Sequence, residues 1–380
     1  MACNMLKFAI YWRYIALEVN RVEFTRQDTK IFKGIAILLM LYHHLFAFPE
    51  RVLDGQFVSL WYFNDTNLSV CLGAFGCICL PIFTFLSGYG LYRSSLRGES
   101  SAALAARHIK SLYKTYWMVF FVCLPVVVYK TLFYRRSLIM YDIVYNFLGL
   151  SFSFNSEWWF VLPFTVLLVL FPAIKRFAER PNAGLYIDLF LVIILNAVIV
   201  YIVPYVMELN VFTGFSSTVF WARTKEVLEI LPAFLTGVIF ARWDVLSRIK
   251  ERLGGRALWC AAAIAGMCAV FIIRAHSSKY FNFIPAVAFL MCVTVLLPTK
   301  LMTLAGRVLE KLGEESAIMW LVHTFFCYYW LQRLVYAPKY SPLILLWLVA
   351  LSYGSAKLIR LLWKWLGTMC LRLSRPRSEV

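Results

Sequence analysis

The stretch Ile31–Phe48, IFKGIAILLMLYHHLFAF, decides how the rest of the chain is read. It is apolar enough and long enough to cross a bilayer, yet it carries Lys33 near one end and His43 and His44 near the other. Ionisable side chains are costly in hydrocarbon, so their presence in such a segment points to a polar path inside the protein. On an ideal helix the eleven steps from Lys33 to His44 leave the two side chains on one face, offset by about 20° and about 16 Å apart along the axis. His43 points about 100° away. The spacing predicts a membrane helix with a cation at its edge and an imidazole deep on the same face.

Composition agrees with a membrane setting. The 380 residues are 62% hydrophobic and only 15% charged, which argues for one polytopic membrane domain rather than two or three soluble ones. A net charge of +18 would suggest nucleic acid in a soluble protein. Here the basic residues sit in short loops between apolar runs and read as topology signals, so no folded basic surface is left for nucleic acid. Eight of the ten cysteines, Cys71, Cys77, Cys79, Cys123, Cys260, Cys268, Cys292 and Cys327, fall inside apolar runs and read as small hydrophobes. Cys77 and Cys79 are two apart, on different helix faces, and no metal site is expected. The first residues mix Lys7, Arg13, Glu18, Arg21 and Glu23 into an aromatic run, which lacks the layout of a cleaved signal peptide and suits a helix lying on the membrane surface.

Ten apolar runs have the length of a span: Ile31–Phe48, Val70–Tyr92, Thr115–Tyr134, Trp158–Ile174, Leu185–Val206, Val227–Ala241, Ala257–Ile273, Phe281–Leu297, Ser316–Leu334 and Pro342–Leu362. An even number puts both termini on one side. That side collects 28 of the 38 Lys and Arg residues, so the expected fold is all-α, with ten transmembrane helices and cytoplasmic termini. The expected organisation is an interfacial segment over 1–29, a transmembrane domain over 30–366 and a basic tail over 367–380.

Four stretches carry candidate chemistry. His44 is a candidate general base, because a free imidazole titrates near neutral pH; a histidine hydrogen-bonded to a neighbouring helix is the alternative, and His43 is its weaker twin. In LPIFTFLSGYGLYRS, Leu80–Ser94, the pair Ser87 and Gly88 suits close helix packing. No GxSxG elbow is present, so Ser87 is not read as a nucleophile. Arg93, with Arg97, Arg107, Lys110 and Lys114 after it, is basic at the cytoplasmic edge, as the positive-inside rule alone would require. In NSEWWFVLPF, Asn155–Phe164, Glu157 is a candidate acid or orienter of histidine, or else a solvated helix-start carboxylate. Trp158 and Trp159 suit either an interface belt or a sugar ring. In GEESAIMWLVHTFF, Gly313–Phe326, His323 lies well inside an apolar run, where it either positions a substrate or is satisfied by another helix.

Together these stretches resemble the acyltransferase 3 family, membrane enzymes that O-acylate carbohydrates. The family pattern of an Arg, ten intervening residues and a His is met by Lys33 and His44; Lys keeps the charge of Arg but loses its two-pronged geometry. The Ser-Gly, Trp-aromatic and late Gly-x-x-Ser stretches follow in the family's order, although many members place a Glu after the Trp motif where this chain has aliphatics. The resemblance implies an O-acyltransferase, chiefly for acetyl groups, that moves the acyl group from cytoplasmic acyl-CoA to a hydroxyl of an extracytoplasmic glycan. His44 would act as base or acyl carrier, Lys33, Arg93 and Lys114 would meet coenzyme A, and Trp158, Trp159 and His323 would face acceptor or cavity. It implies a bacterial inner membrane and no tightly bound cofactor. The rival reading is a carrier or exporter of glycans or lipids that uses His44 and His323 as a proton relay, although such folds tend to show internal repeats and none is found here.

Overall fold

The computed structural model describes residues 22–58, 60–63, 66–133, 140–276 and 282–373. The expected surface helix through Arg21, the span ends at Tyr134 and Phe281, and the tail from 374 lie outside the described residues. The helices of eight residues or more are α1 (Arg26–Phe46), α2 (Leu68–Phe75), α3 (Cys79–Ser95), α4 (Ser101–Phe133), α5 (Met140–Phe147), α6 (Val161–Ala178), α7 (Leu185–Ala197), α8 (Val219–Arg242), α9 (Val245–Leu253), α10 (Ala257–His276), α11 (Phe283–Leu296), α12 (Lys300–Thr324) and α13 (Ser341–Leu373). A two-residue ribbon, Tyr62–Phe63 with Thr66–Asn67, lies in the connection after α1.

Each of the ten apolar runs is mostly helical over its described part; Ala47, Phe48, Asn282, Leu297 and Leu331 fall outside the helices. Among the described residues, six helices are long and apolar enough to cross a membrane, or up to eight if each of two bent pairs is one span. This is fewer than the ten expected. The reason is local: α1 carries lysines and histidines that offset its apolar residues, while α8 with α9 bends by 63° and α11 with the helix that begins at Lys300 bends by 120°.

α1 is the hinge of the packing. Its residues Ile31, Phe32 and Ala36 enter one buried cluster with α3, α6, α8 and α11. Ile37, Met40, Leu41, Leu45 and Phe46 enter a second with α4, α12 and α13. The start of α1 is fixed by a capping box: the Asp28 N–H donates to Thr25 Oγ1 at 3.1 Å and the Thr25 N–H to Asp28 Oδ2 at 2.7 Å. Lys250 of α9 reaches the same carboxylate at 2.6 Å.

Two glycine pairs bring helices together without a hydrophobic drive between them. A Cβ on Gly34 of α1 would overlap the Leu309 carbonyl of α12, and one on Gly313 would overlap the Lys30 carbonyl. Gly88 of α3 and Gly237 of α8 meet the backbones of Phe234 and Phe85 in the same reciprocal way. The Ser87–Gly88 stretch is thus a packing surface, with the Ser87 hydroxyl donating to the Phe83 carbonyl of its own helix at 2.8 Å.

Candidate active site

His44 sits in the last turn of α1 and is 8% exposed. Its Nδ1 lies 2.9 Å from the Met40 carbonyl, which can only accept, so Nδ1 carries a proton and Nε2 is left for chemistry. Nε2 faces Glu157 Oε2 at 3.1 Å. A bare nitrogen lone pair against a carboxylate would be repulsive, so at rest the two groups share one proton, as imidazolium with carboxylate or as imidazole with carboxylic acid. His44 and Glu157 are a unit.

Both members are held from several directions. Glu157 is in a short 3₁₀ turn, Ser156–Phe160, that leads into α6. Asn155 caps this turn by accepting the Glu157 N–H at 3.0 Å, and the same Asn155 oxygen accepts the Thr324 hydroxyl of α12 at 3.0 Å. The indole N–H of Trp320 donates to the Glu157 carbonyl at 3.2 Å. On the other side, the last turn of α1 leaves carbonyls without helical donors. The Tyr328 and Tyr336 hydroxyls supply them, bonding the His44 and Leu45 carbonyls at 2.6 and 2.7 Å.

A cavity of about 430 Å³ opens onto this pair, within the range of small-molecule sites. His43, His44, Glu157, Trp159, Glu229 and Arg274 supply its polar and aromatic lining. A smaller cavity of about 170 Å³ is lined by Lys33, Ser87 and Ser316. Met40, Leu80, Phe160 and Trp320 line both, so these four side chains form an apolar wall shared by the Lys33 chamber and the His44 chamber along one face of α1. Lys33 is partly buried and has no ion-pair or hydrogen-bond partner among the described residues. A cation placed this way leaves room for an anion at its cavity.

The other expected site residues are placed as follows. His43 lines the larger cavity, with its Nδ1 donating to the Gly73 carbonyl at 2.7 Å. Trp159 is on the lining, whereas Trp158 is 2% exposed and turns its indole N–H to the Leu321 carbonyl at 2.9 Å. The adjacent tryptophans diverge because the 3₁₀ turn, at three residues per turn, aims consecutive side chains about 120° apart. His323 is fully buried behind His44, with ring centroids 4.7 Å apart, and is not on the cavity wall. Its Nδ1 donates to the Trp320 carbonyl at 2.7 Å. Arg93 lies 3.9 Å from both Glu23 and Asp244, and Lys114 is exposed; neither lines the Lys33 chamber. Among the described residues no group of three His, Cys, Asp or Glu side chains is placed to hold a metal ion.

Asn155, Thr324, Tyr328, Glu229 and Arg274 were not singled out by the sequence. Glu229 had a signal, being a carboxylate inside the expected span Val227–Ala241. Arg274 follows the last residue of the expected span Ala257–Ile273 and reads there as a loop charge; its Nη2 lies 3.0 Å from Cys77 Sγ. Asn155 joins its own turn to the Thr324 hydroxyl and Tyr328 reaches the His44 carbonyl, links between helices remote in sequence that no local pattern encodes.

A family model described as an acyltransferase domain matches residues 29–359. No curated protein and no solved structure matches the chain.

Proposed function

Since the chain belongs to the acyltransferase 3 family and is an integral membrane acyltransferase acting on groups other than aminoacyl, we propose that it moves an acetyl or related acyl group from cytoplasmic acyl-CoA to a glycan hydroxyl on the opposite face. The single observation that carries this reading is the His44–Glu157 contact on the wall of a cavity that abuts the chamber of the unpartnered Lys33 on the same helix.

Lys33 receives a phosphate of coenzyme A at its chamber. The pantetheine arm then follows the shared wall of Met40, Leu80, Phe160 and Trp320, which suits its modest polarity and brings the thioester to His44. The active base is the pair without its shared proton: neutral His44 and ionised Glu157, two lone pairs facing each other. An acceptor hydroxyl that enters from the larger cavity relieves that repulsion by donating to Nε2. As its oxygen attacks the thioester carbon, the C–O bond forms, the C–S bond breaks, and the proton passes to Nε2, where the Glu157 carboxylate stabilises the imidazolium. The same proton then goes to the departing thiolate. In the two-step variant Nε2 attacks the thioester carbon and the C–S bond breaks to release the coenzyme A thiolate. The hydroxyl then takes the acyl group from Nε2 while its proton passes to the Glu157 carboxylate and on to the thiolate. The thioester is already activated, so orientation and one base account for the acceleration required.

Ten crossings with cytoplasmic termini, in a bacterial inner membrane, complete the proposal. The lopsided distribution of Lys and Arg supports the orientation, and the mostly helical course of each of the ten apolar runs supports the number. The domain would run over 30–366, flanked by an interfacial segment and a basic tail. The test is release of coenzyme A from labelled acetyl-CoA by purified protein with candidate glycans. His44→Ala is expected to lose turnover by at least about a hundredfold while keeping its melting temperature. Turnover at the wild-type rate in that variant would remove the mechanism.

A further inference from the structure

We infer that the cavity between α7 and α8 is a second sugar subsite, which holds a non-acidic, polyhydroxylated unit of the acceptor beside the unit being acylated; this rests on the glycan-acceptor reading above. The cavity encloses about 780 Å³, against about 430 Å³ at His44. Glu229 of α8 lines both, so the second chamber opens next to the first.

Its wall offers unmet hydrogen-bonding capacity of both signs. Asn196, at the end of α7, is 3% exposed and lines the cavity, and its Nδ2 has no hydrogen-bond partner. A buried amide donor left unpaired is unfavourable, and a ligand hydroxyl in the cavity supplies the missing acceptor. Across from it on α8, Glu226 accepts from Arg223 Nη1 through Oε1 at 2.6 Å, while Oε2 is buried and has no partner. A donor and an acceptor without partners, on side chains that line one space, match a hydroxyl-bearing ring, since each hydroxyl both donates and accepts. Trp221, 7% exposed, adds an aromatic surface to the same wall, which suits the apolar face of such a ring.

The backbone there is also irregular. α7 gives way to a π-helical turn, Val198–Ile202, and Pro204, which lines the cavity, has no N–H to return to that turn. Irregular backbone within a membrane is tolerated where it lines a polar cavity, and π turns recur at functional sites. The charges lining the chamber are Glu208, Glu226 and Glu229 against Lys225 alone. A uronate brought against the unpartnered Glu226 Oε2 would set one carboxylate against another, which favours a neutral or amino sugar.

Binding tests the assignment without turnover. Maltotetraose, a glucosamine tetrasaccharide and a galacturonic acid tetrasaccharide are titrated calorimetrically into the full chain, held in a detergent without a sugar headgroup. The neutral or the amino tetrasaccharide is expected to bind, with the uronate at least about tenfold weaker. Asn196→Leu removes the donor, and Ala222→Leu narrows the same cavity on a helix that accepts Leu well. Each is expected to raise Kd at least about tenfold, whereas Gly90→Ala, where an added Cβ meets nothing within 4 Å, leaves it within about twofold. Absence of binding by both non-acidic sugars, tightest binding by the uronate, or a Kd indifferent to both cavity variants overturns the subsite. Failure of the acyl-transfer reading would show separately, as no coenzyme A release or as retained turnover in His44→Ala.

Discussion

At the scale of single residues, the chemistry depends on how few hydrogen-bonding choices His44 has. Its Nδ1 is committed to the Met40 carbonyl, so the tautomer is set by its own helix and only the contact at Nε2 remains adjustable. Glu157 is therefore expected to matter nearly as much as the histidine. Glu157→Gln keeps the size and the capping by Asn155 but removes the charge that stabilises the imidazolium. Its kcat is expected to fall by about 10²- to 10⁴-fold, with the KM for acyl-CoA little changed, in a coenzyme A release assay. Lys33 acts at the other end of the shared wall, and its variants separate binding from chemistry. Lys33→Ala is expected to raise the KM for acetyl-CoA by about tenfold or more, and Lys33→Arg to recover most of it, because Arg keeps the charge and adds a second donor. An unchanged KM in Lys33→Ala would place the phosphate elsewhere.

At the scale of elements, the site exists because helices approach at glycines. The Gly34–Gly313 contact sets α1 against α12, and so sets the His44 ring against His323 and the Trp320 indole near Glu157. Gly34→Ala puts a methyl group into the Leu309 carbonyl and is expected to cost about 1–3 kcal/mol, read as a lower melting temperature in detergent. Gly88→Ala, against the Phe234 backbone, is expected to behave alike. Gly90 is two residues away on α3 and a Cβ there meets nothing within 4 Å. Gly90→Ala should therefore change stability by less than about 1 kcal/mol, and toward greater stability, since Ala is the better helix former. Equal losses at Gly34 and Gly90 would show that helix propensity and detergent, not close approach, govern these positions.

At the scale of the whole molecule, α1 divides two buried clusters and also connects the two cavities, so catalysis and architecture share one element. The proposed direction of transfer needs the Lys33 end of α1 to face the cytoplasm. Leu53, just beyond the His44 end, is 88% exposed, and Lys114 is exposed on α4. Single cysteines at these positions are expected to react with a membrane-impermeant maleimide from opposite sides of intact cells, Leu53→Cys from outside and Lys114→Cys only after lysis. The reverse pattern would put the acyl donor on the outer face.

The membrane class, the helical elements and the shared face of Lys33 and His44 were legible in the chain itself, because each depends on local quantities: run length, residue polarity and the 100° helical step. The role of Ser87–Gly88 as packing was legible for the same reason. The number of qualifying spans was not, since polar residues within α1 and sharp bends after Arg242 and Leu296 break the link between an apolar run and one crossing. Glu157 stood out as a candidate orienter of histidine, but its pairing with His44 in particular was not legible. It joins positions more than a hundred residues apart, and Asn155, Thr324, Trp320 and Tyr328 hold it through contacts between helices that are remote in sequence. Only packing in three dimensions could decide which of two adjacent tryptophans faces the cavity, and which of three histidines meets the carboxylate.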